Sequence, residues 1–255
     1  MHQNTTIGFL IPITSKHRNW VRLKESYLIK YFLRSLIKTL NFKHNYRFYL
    51  VIDSDDKFFC EANFEDIFIS LNIKHFKIIK IINKKIQKGY LTRMWNLAFK
   101  EAYNDNCHYF FQCGDDIEFK SKDWIDDSIK VLNENNDIGI TGPMDLGRLN
   151  IDSEHNPGGQ RFIQTQTFVS RKHMEIFGFY FPEEIKNWFC DDWITKIYYP
   201  NNFYKLDHFL FNRGGEPRYI ISGEVDDNDP VKQKCDELIR RDKQKIINFI
   251  ESQNS

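Results

Sequence analysis

His108-Tyr109-Phe110-Phe111-Gln112-Cys113-Gly114-Asp115-Asp116 decides how this chain is read: a short, aromatic-rich apolar run, then a glycine, then two adjacent carboxylates. An apolar run of this length bounded by a turn signal predicts a buried strand. Neighbouring carboxylates repel unless a cation or hydrogen-bond donors offset their charge. Ligands of open α/β sheets bind beyond the carboxyl ends of the strands. Hard divalent cations take oxygen ligands, often one or two carboxylates plus substrate phosphates. An Asp-Asp pair by itself is also an ordinary strand-to-turn junction, so its neighbours must decide.

Upstream, Ile7–Ile13 with Pro12 predicts a first strand and loop. Residues Trp20 to Leu40 carry apolar residues at helical spacing. Arg47–Ile52 predicts a second strand ending in Asp53, and Phe76–Ile82 a third. Gly89–Tyr103 predicts a helix with Leu91, Trp95, Ala98 and Ala102 on one face. The alternation is that of an open, mostly parallel sheet with helices on both faces, an α/β single domain of Rossmann-like type. Downstream, Trp124–Leu132 predicts a helix and Ile138–Thr141 a strand. Asp145–Gln160 reads as a loop, Arg161–Ser170 as a strand, Glu183–Tyr199 as two short helices around Asp191-Asp192, and Phe203–Phe211 as a strand. Asp229-Pro230 caps a C-terminal helix with an apolar stripe. Within one domain, residues 1–120 form a first half, 121–220 a second half and 229–252 the closing helix.

The 255 residues include 36 Lys+Arg and 35 Asp+Glu, so bulk charge gives no nucleic-acid footprint. Five cysteines, an odd number without CxxC spacing, read as reduced thiols. No secretory signal or run of about 20 apolar residues is visible, and the expectation is a cytoplasmic protein without a transmembrane segment.

With Ile11-Pro12 on the first strand, Asp53 ending the second and Gly114-Asp115-Asp116 ending the fourth, the chain resembles GT-A glycosyltransferases, especially the family-2-like group. The resemblance extends to about Arg218. It implies a GT-A fold and a nucleotide-sugar donor (UDP- or GDP-sugar), with a glycan, protein or small-molecule acceptor. Pro12 and Asp53 fall on the nucleotide side. Asp116 becomes the ligand of a divalent metal, Mn²⁺ or Mg²⁺, with Asp115 near the ribose or the metal. Gly89, Arg93 and Asn96 match the family's glycine and Arg-Asn pair at a helix start, where backbone amides favour phosphate. Arg93 reads equally as a solvated helix charge, and Lys80, Lys84, Lys85 and Lys88 as a solvated face.

In the second half, Phe168–His173, Ile176–Phe179 and Asp191-Asp192-Trp193 resemble the group's acceptor side. By position in that block Asp192 is the general base, with Asp191 second. Trp188 and Trp193 are candidate platforms for a sugar ring. Either acid also suits the N-cap of a helix. His208 is a candidate late metal ligand or a packed residue. Arg213, beside Gly214-Gly215, is a diphosphate-side candidate or part of a turn. A sugar-1-phosphate nucleotidyltransferase is the alternative enzyme, although Pro12–Arg18 has no glycine to wrap a triphosphate. A catalytically inactive GT-like binding or structural protein is the alternative non-enzyme.

Overall fold

The structure is a computed structural model that describes residues 5–64, 67, 75–148, 163–214 and 230–253. Strands β1 (Thr6–Ile13), β2 (Asn45–Asp53), β3 (Phe76–Asn83), β4 (Tyr109–Gln112) and β7 (Thr167–Ser170) form one sheet in the order β3-β2-β1-β4-β7. The first four are parallel, and β7 closes the edge antiparallel to β4. The sheet therefore joins both halves of the chain.

Side chains alternate strictly between its two faces. Phe9, Ile11, Phe48, Leu50, Phe111 and Phe168 enter one core, and Leu10, Tyr49, Val51, Phe110 and Val169 the other. A parallel sheet buried on both sides needs this continuous apolar sequence. The first helix, α1, covers one face. It begins as a π-helical stretch (Leu28–Leu33) and continues as an α-helix (Arg34–Thr39). The short α2 (Lys57–Cys60) follows β2. The other face carries α3 (Leu91–Asn104), α5 (Lys172–Phe177), α6 (Cys190–Tyr198) and the closing α7 (Pro230–Gln253). A second small sheet, β5 (Ile117–Phe119), β8 (Phe209–Asn212) and β6 (Met144–Asp145), is ordered β5-β8-β6. Helix α4 (Trp124–Asn133) lies between β5 and β6 in sequence.

Several expected elements are shorter. Ile138–Thr141 supplies two isolated bridges, and the Phe203–Phe211 strand contracts to β8 with a bridge at Phe203. One helix, α6, replaces the expected pair over Glu183–Tyr199. Most of the expected loop at 145–160, the start of the strand at 161, and Gly215, Arg218 and Asp229 lie outside the described residues.

Helix α7 is held by more than its apolar stripe. Asp242 is fully buried, and its carboxylate accepts from Trp193 Nε1 (3.1 Å), from the adjacent Arg241 (2.9 Å to each oxygen) and from Lys245 (2.9 Å). Burial alone would raise its pKa, but the Arg241 and Lys245 hydrogen bonds outweigh it and hold the carboxyl below the usual range.

Candidate active site

The sheet order places a topological switch point between β1 and β4, where open α/β sheets hold ligands. The expected acids gather along this carboxyl edge. Pro12 is the next-to-last residue of β1, Asp53 ends β2, and Gly114-Asp115-Asp116 links β4 to β5.

This edge is braced by neighbours that the motifs did not reveal. Asn83, ending the adjacent β3, donates to Asp53 Oδ1 (2.7 Å). Asp56 caps α2 through Phe59 N and holds the loop after β1, accepting from Ser15 N (2.6 Å), Ser15 Oγ (2.8 Å) and Thr14 Oγ1 (3.2 Å). Trp95 Nε1 donates to the Cys113 carbonyl (3.2 Å), immediately before the acidic pair.

The two acids are not equivalent. Asp115 is fully buried, whereas Asp116 is partly accessible. The Asp116 carboxylate lies between two glycines. A Cβ on Gly114 would stand 2.5 Å from Asp116 Oδ1, and one on Gly214 would overlap Asp116 Oδ2 and meet Asn212 Oδ1 at 2.8 Å. Gly114 therefore occupies the first position of the acidic motif because a side chain there would push Asp116 aside. The donors are all oxygen, which fits a hard divalent cation completed by diphosphate oxygens. Among the described residues, no three His, Cys, Asp or Glu groups cluster as a metal cage.

From this seat a continuous path leads to α6. Arg213 N donates to the Asp116 carbonyl (2.8 Å). Asp145, buried at the end of β6, accepts from Asn212 N (3.3 Å) and Gly147 N (3.0 Å), and Arg148 then reaches Asp191 (3.9 Å). The residue before α6 is Phe189 at φ +70°, with no side-chain cap, so neither Asp191 nor Asp192 is the N-cap. Both acids stand in the first turn and diverge. Asp191 shares its side of the helix with Thr195, which accepts from Gln164 N (3.0 Å), and it faces Arg148. Asp192 shares its side with Lys196, toward α7: it pairs with Lys196 at 3.2 Å, and Lys196 also reaches Asp236 (4.0 Å). Burial raises the Asp191 pKa, the Asp192 charge adds to this, and Arg148 opposes both.

Other expected site residues serve elsewhere. Trp193 is fully buried and turned toward Asp242, so it offers no face to a sugar; Trp188, 44% exposed, does. Asn96 bonds a neighbouring loop through both ends of its amide: Nδ2 donates to Phe181 O (2.8 Å), and Oδ1 accepts from Tyr180 N (3.0 Å) and Phe181 N (2.8 Å). It therefore anchors that loop. Asn96→Ala leaves those amides without their acceptor and should cost about 1–3 kcal/mol. Chemical denaturation should show that loss, while nucleotide affinity of the folded protein stays unchanged.

Gly89 precedes α3 in a turn at φ +87° with open space where a Cβ would sit, so it is needed for backbone conformation and not for close packing. The α3 amino terminus is partly spent, since Thr92 N donates to Lys186 O (3.2 Å). Arg93 lies 3.7 Å from Glu183 and over the Tyr90 ring. Lys80 ties the Cys60 and Ala62 carbonyls, and Lys88 pairs with Asp55. His208 Nε2 engages Asp127 on α4 (2.8 Å). In the β5–β8 register Ile117 faces Asn212, and Phe209 N meets Ser121 Oγ. His208 is thus about five strand positions, roughly 16 Å, from Asp116, too far to share a cation with it. The Arg213 side chain turns from the acids to Glu118 (2.6 Å) and the Phe211 ring.

No protein-family model and no curated protein matches the chain. Solved structures do. Staphylococcus aureus TarS residues 1–349 in complex with UDP-GlcNAc superposes with a TM-score of 0.60 at 16% identity, covering 96% of this chain and 71% of that one. The same fragment in complex with UDP gives 0.58 at 15% identity, covering 93% and 65%. A further TarS structure gives 0.51 at 15% identity, and there the chain spans only 36% of its length. With the sheet order and the closing helix, these similarities establish a GT-A fold.

Proposed function

We propose that this chain is a glycosyltransferase that moves a sugar from a nucleotide diphosphate donor to a hydroxyl acceptor. The observation that carries this reading is the Asp116 carboxylate, seated between Gly114 and Gly214 at the switch point of the sheet. UDP is the first donor nucleotide to test, because the similar TarS structures hold UDP and UDP-GlcNAc.

Asp53, held by Asn83, borders the nucleotide end of the cleft, and Asp116, with Asn212 beside it, holds the cation on the diphosphate side. A divalent cation bound there supplies electrostatic stabilisation to the departing diphosphate. Asp191 takes the proton of the acceptor hydroxyl as its oxygen bonds to the anomeric carbon and the bond to the diphosphate oxygen breaks. A single displacement of this kind inverts the anomeric centre. Asp191 is preferred over Asp192 because it lies on the path from Asp116, whereas Asp192 pairs with Lys196 toward α7. Exposed Trp188, shortly before α6, is the aromatic platform for the acceptor.

Thermal unfolding with UDP, GDP and their sugars, with and without Mn²⁺, tests the donor site. A ligand at a hundred times its Kd should raise Tm by roughly 5–10 °C in a chain of this size. The rise is expected with one base, only with metal, and not in Asp116→Ala. A folded protein that responds to none of these ligands overturns the reading.

A further inference from the structure

A cleft of about 360 Å³ lies at the opposite end of the large sheet from the candidate active site. Its floor is the amino edge of β1 and β4 with the last residue of β7, where Thr5, His108, Tyr109 and Ser170 stand. Asn133 and Asp137, at and after the end of α4, form one wall, and the residues from Arg171 to Glu175 the other. Every lining side chain carries a polar group. The two cations, Arg171 and Lys172, balance the two carboxylates, Asp137 and Glu175, and Lys172 pairs with Glu175 at 3.1 Å. The volume is at the lower end of the range of small-molecule pockets, and the lining as a whole selects for neither sign of charge.

Several of its polar atoms are not spent. Thr6 N donates to His108 Nδ1 (3.0 Å). A ring nitrogen that accepts carries no proton, so the neutral imidazole holds its proton on Nε2. Among the described residues nothing accepts from that Nε2. The Tyr109 hydroxyl stands 2.7 Å from Asn133 Oδ1 and 2.9 Å from Asp137 Oδ1, and its single proton serves one of them. Asp137 Oδ2 has no donor among the described residues. The loop reaches this position at a conformational cost. Asn136 and Asp137 stand consecutively at φ +58° and +59°, and Ser170 Oγ donates to the Asp137 carbonyl (2.5 Å). Left-handed backbone at non-glycine residues concentrates at functional sites. Arg171, by contrast, is engaged: Nη1 donates to the Tyr103 and Cys107 carbonyls (3.0 and 2.9 Å), and the guanidinium lies over the Tyr103 ring.

We infer that this cleft binds the ring of a neutral sugar. Each sugar hydroxyl both donates and accepts. One donates to Asp137 Oδ2 while another accepts from His108 Nε2. A phosphate would lie against the Asp137 carboxylate, and an amine against Arg171 and Lys172, so neither matches the unspent pair. A nucleobase finds no open ring to stack on, because Tyr109 is buried and packs on Phe168 (5.5 Å). The same lack of a platform makes the expected affinity weak, with a Kd on the order of 1 mM. The acids of the donor site stand beyond the other end of β4, so this cleft is separate from the transfer reaction and does not rest on the glycosyltransferase reading.

Ligand-observed NMR with glucose, galactose, mannose and N-acetylglucosamine, each titrated into wild type, Asp137→Asn and His108→Asn, tests this. Asp137→Asn keeps an acceptor for Tyr109 and a side chain that tolerates left-handed backbone, while replacing Oδ2 by a donor. His108→Asn keeps an acceptor for Thr6 N and removes the Nε2 donor. Circular dichroism checks that both fold. At least one sugar should bind wild type, both variants at least about tenfold more weakly, and Asp116→Ala as well as wild type. A linear trisaccharide of the bound sugar separates two sources of the ring: tighter binding than the single ring marks a residue within a chain, and no gain marks a free sugar. No sugar binding by wild type, undiminished binding by either variant, or loss of binding in Asp116→Ala overturns the inference. So does tighter binding of inorganic phosphate or of ethanolamine than of any sugar, weakened by the same two substitutions.

Discussion

Asp191→Asn should lower the turnover of UDP-sugar by about 10²–10⁴-fold, the range a positioned general base contributes, while leaving the protein at least as stable as wild type at neutral pH. These opposite effects share one cause. The Asp191 carboxyl is raised by burial and by the Asp192 charge. A carboxyl whose folded pKa is raised favours folding below its unfolded pKa, and that contribution is lost as pH rises through the folded value. At neutral pH the charge on this half-buried carboxyl is thus a cost that Asn removes. Urea unfolding and steady-state release of UDP from the same preparations check both halves. The wild-type rate should rise with pH through the raised pKa. Arg148→Ala should move that limb to higher pH, because Arg148 is the cation that opposes the shift. Asp192→Asn should move it to lower pH with only a modest loss of rate. A large loss in Asp192→Asn with near-normal Asp191→Asn would instead make Asp192 the base, as position in the family-like block suggests.

Asp242→Ala should destabilise the fold by about 3–5 kcal/mol, the cost of removing one partner from a buried ionic cluster. Against a total stability of about 5–15 kcal/mol, that is a large share. The substitution leaves the indole N–H of Trp193 without its acceptor and puts Arg241 and Lys245 against a neutral site. Asp242→Asn keeps an acceptor for the indole and should lose less. The sign of the pH dependence follows from the lowered pKa. The contribution is full above the unfolded value of about 3.9 and disappears as pH falls through the lower folded value. Docking of α7 should therefore persist through mildly acidic buffers. Denaturant midpoints from pH 7 down to 3 measure this, and an Asp242→Ala penalty under about 1 kcal/mol would show that water takes over the role of the carboxylate.

The architecture was legible because it rests on local patterns. Strands β1 and β4 and the second half of β2 are nearly unbroken apolar runs, α3 has one apolar face, and the acids follow strand ends where chain direction alone places them. Less legible were residues whose contacts lie far along the chain. Asn96 carries the chemistry of a phosphate contact but meets the amides of Tyr180 and Phe181. Trp193 sits in a sugar-binding context but points to Asp242 on the last helix. His208 lies near Arg213 in sequence, yet the antiparallel register of β5 and β8 carries it away from Asp116. Asp56 stood in plain view within Asp53–Asp56, but only the fold shows it gathering the loop after β1.

The seat of Asp116 has a bearing on assembly order. Gly114 belongs to the turn leaving the large sheet, whereas Gly214 arrives with β8 from far along the chain. Contacts between distant segments carry a loop-closure cost that local ones do not, and they tend to form late. A molecule with β1 to β4 already paired therefore has its acids in place but no wall behind them. Docking of β8 is what gives Asp116 its second wall, so variants that loosen this small sheet should keep a cooperative unfolding transition and still lose the metal-dependent rise in Tm expected of the proposed donor site.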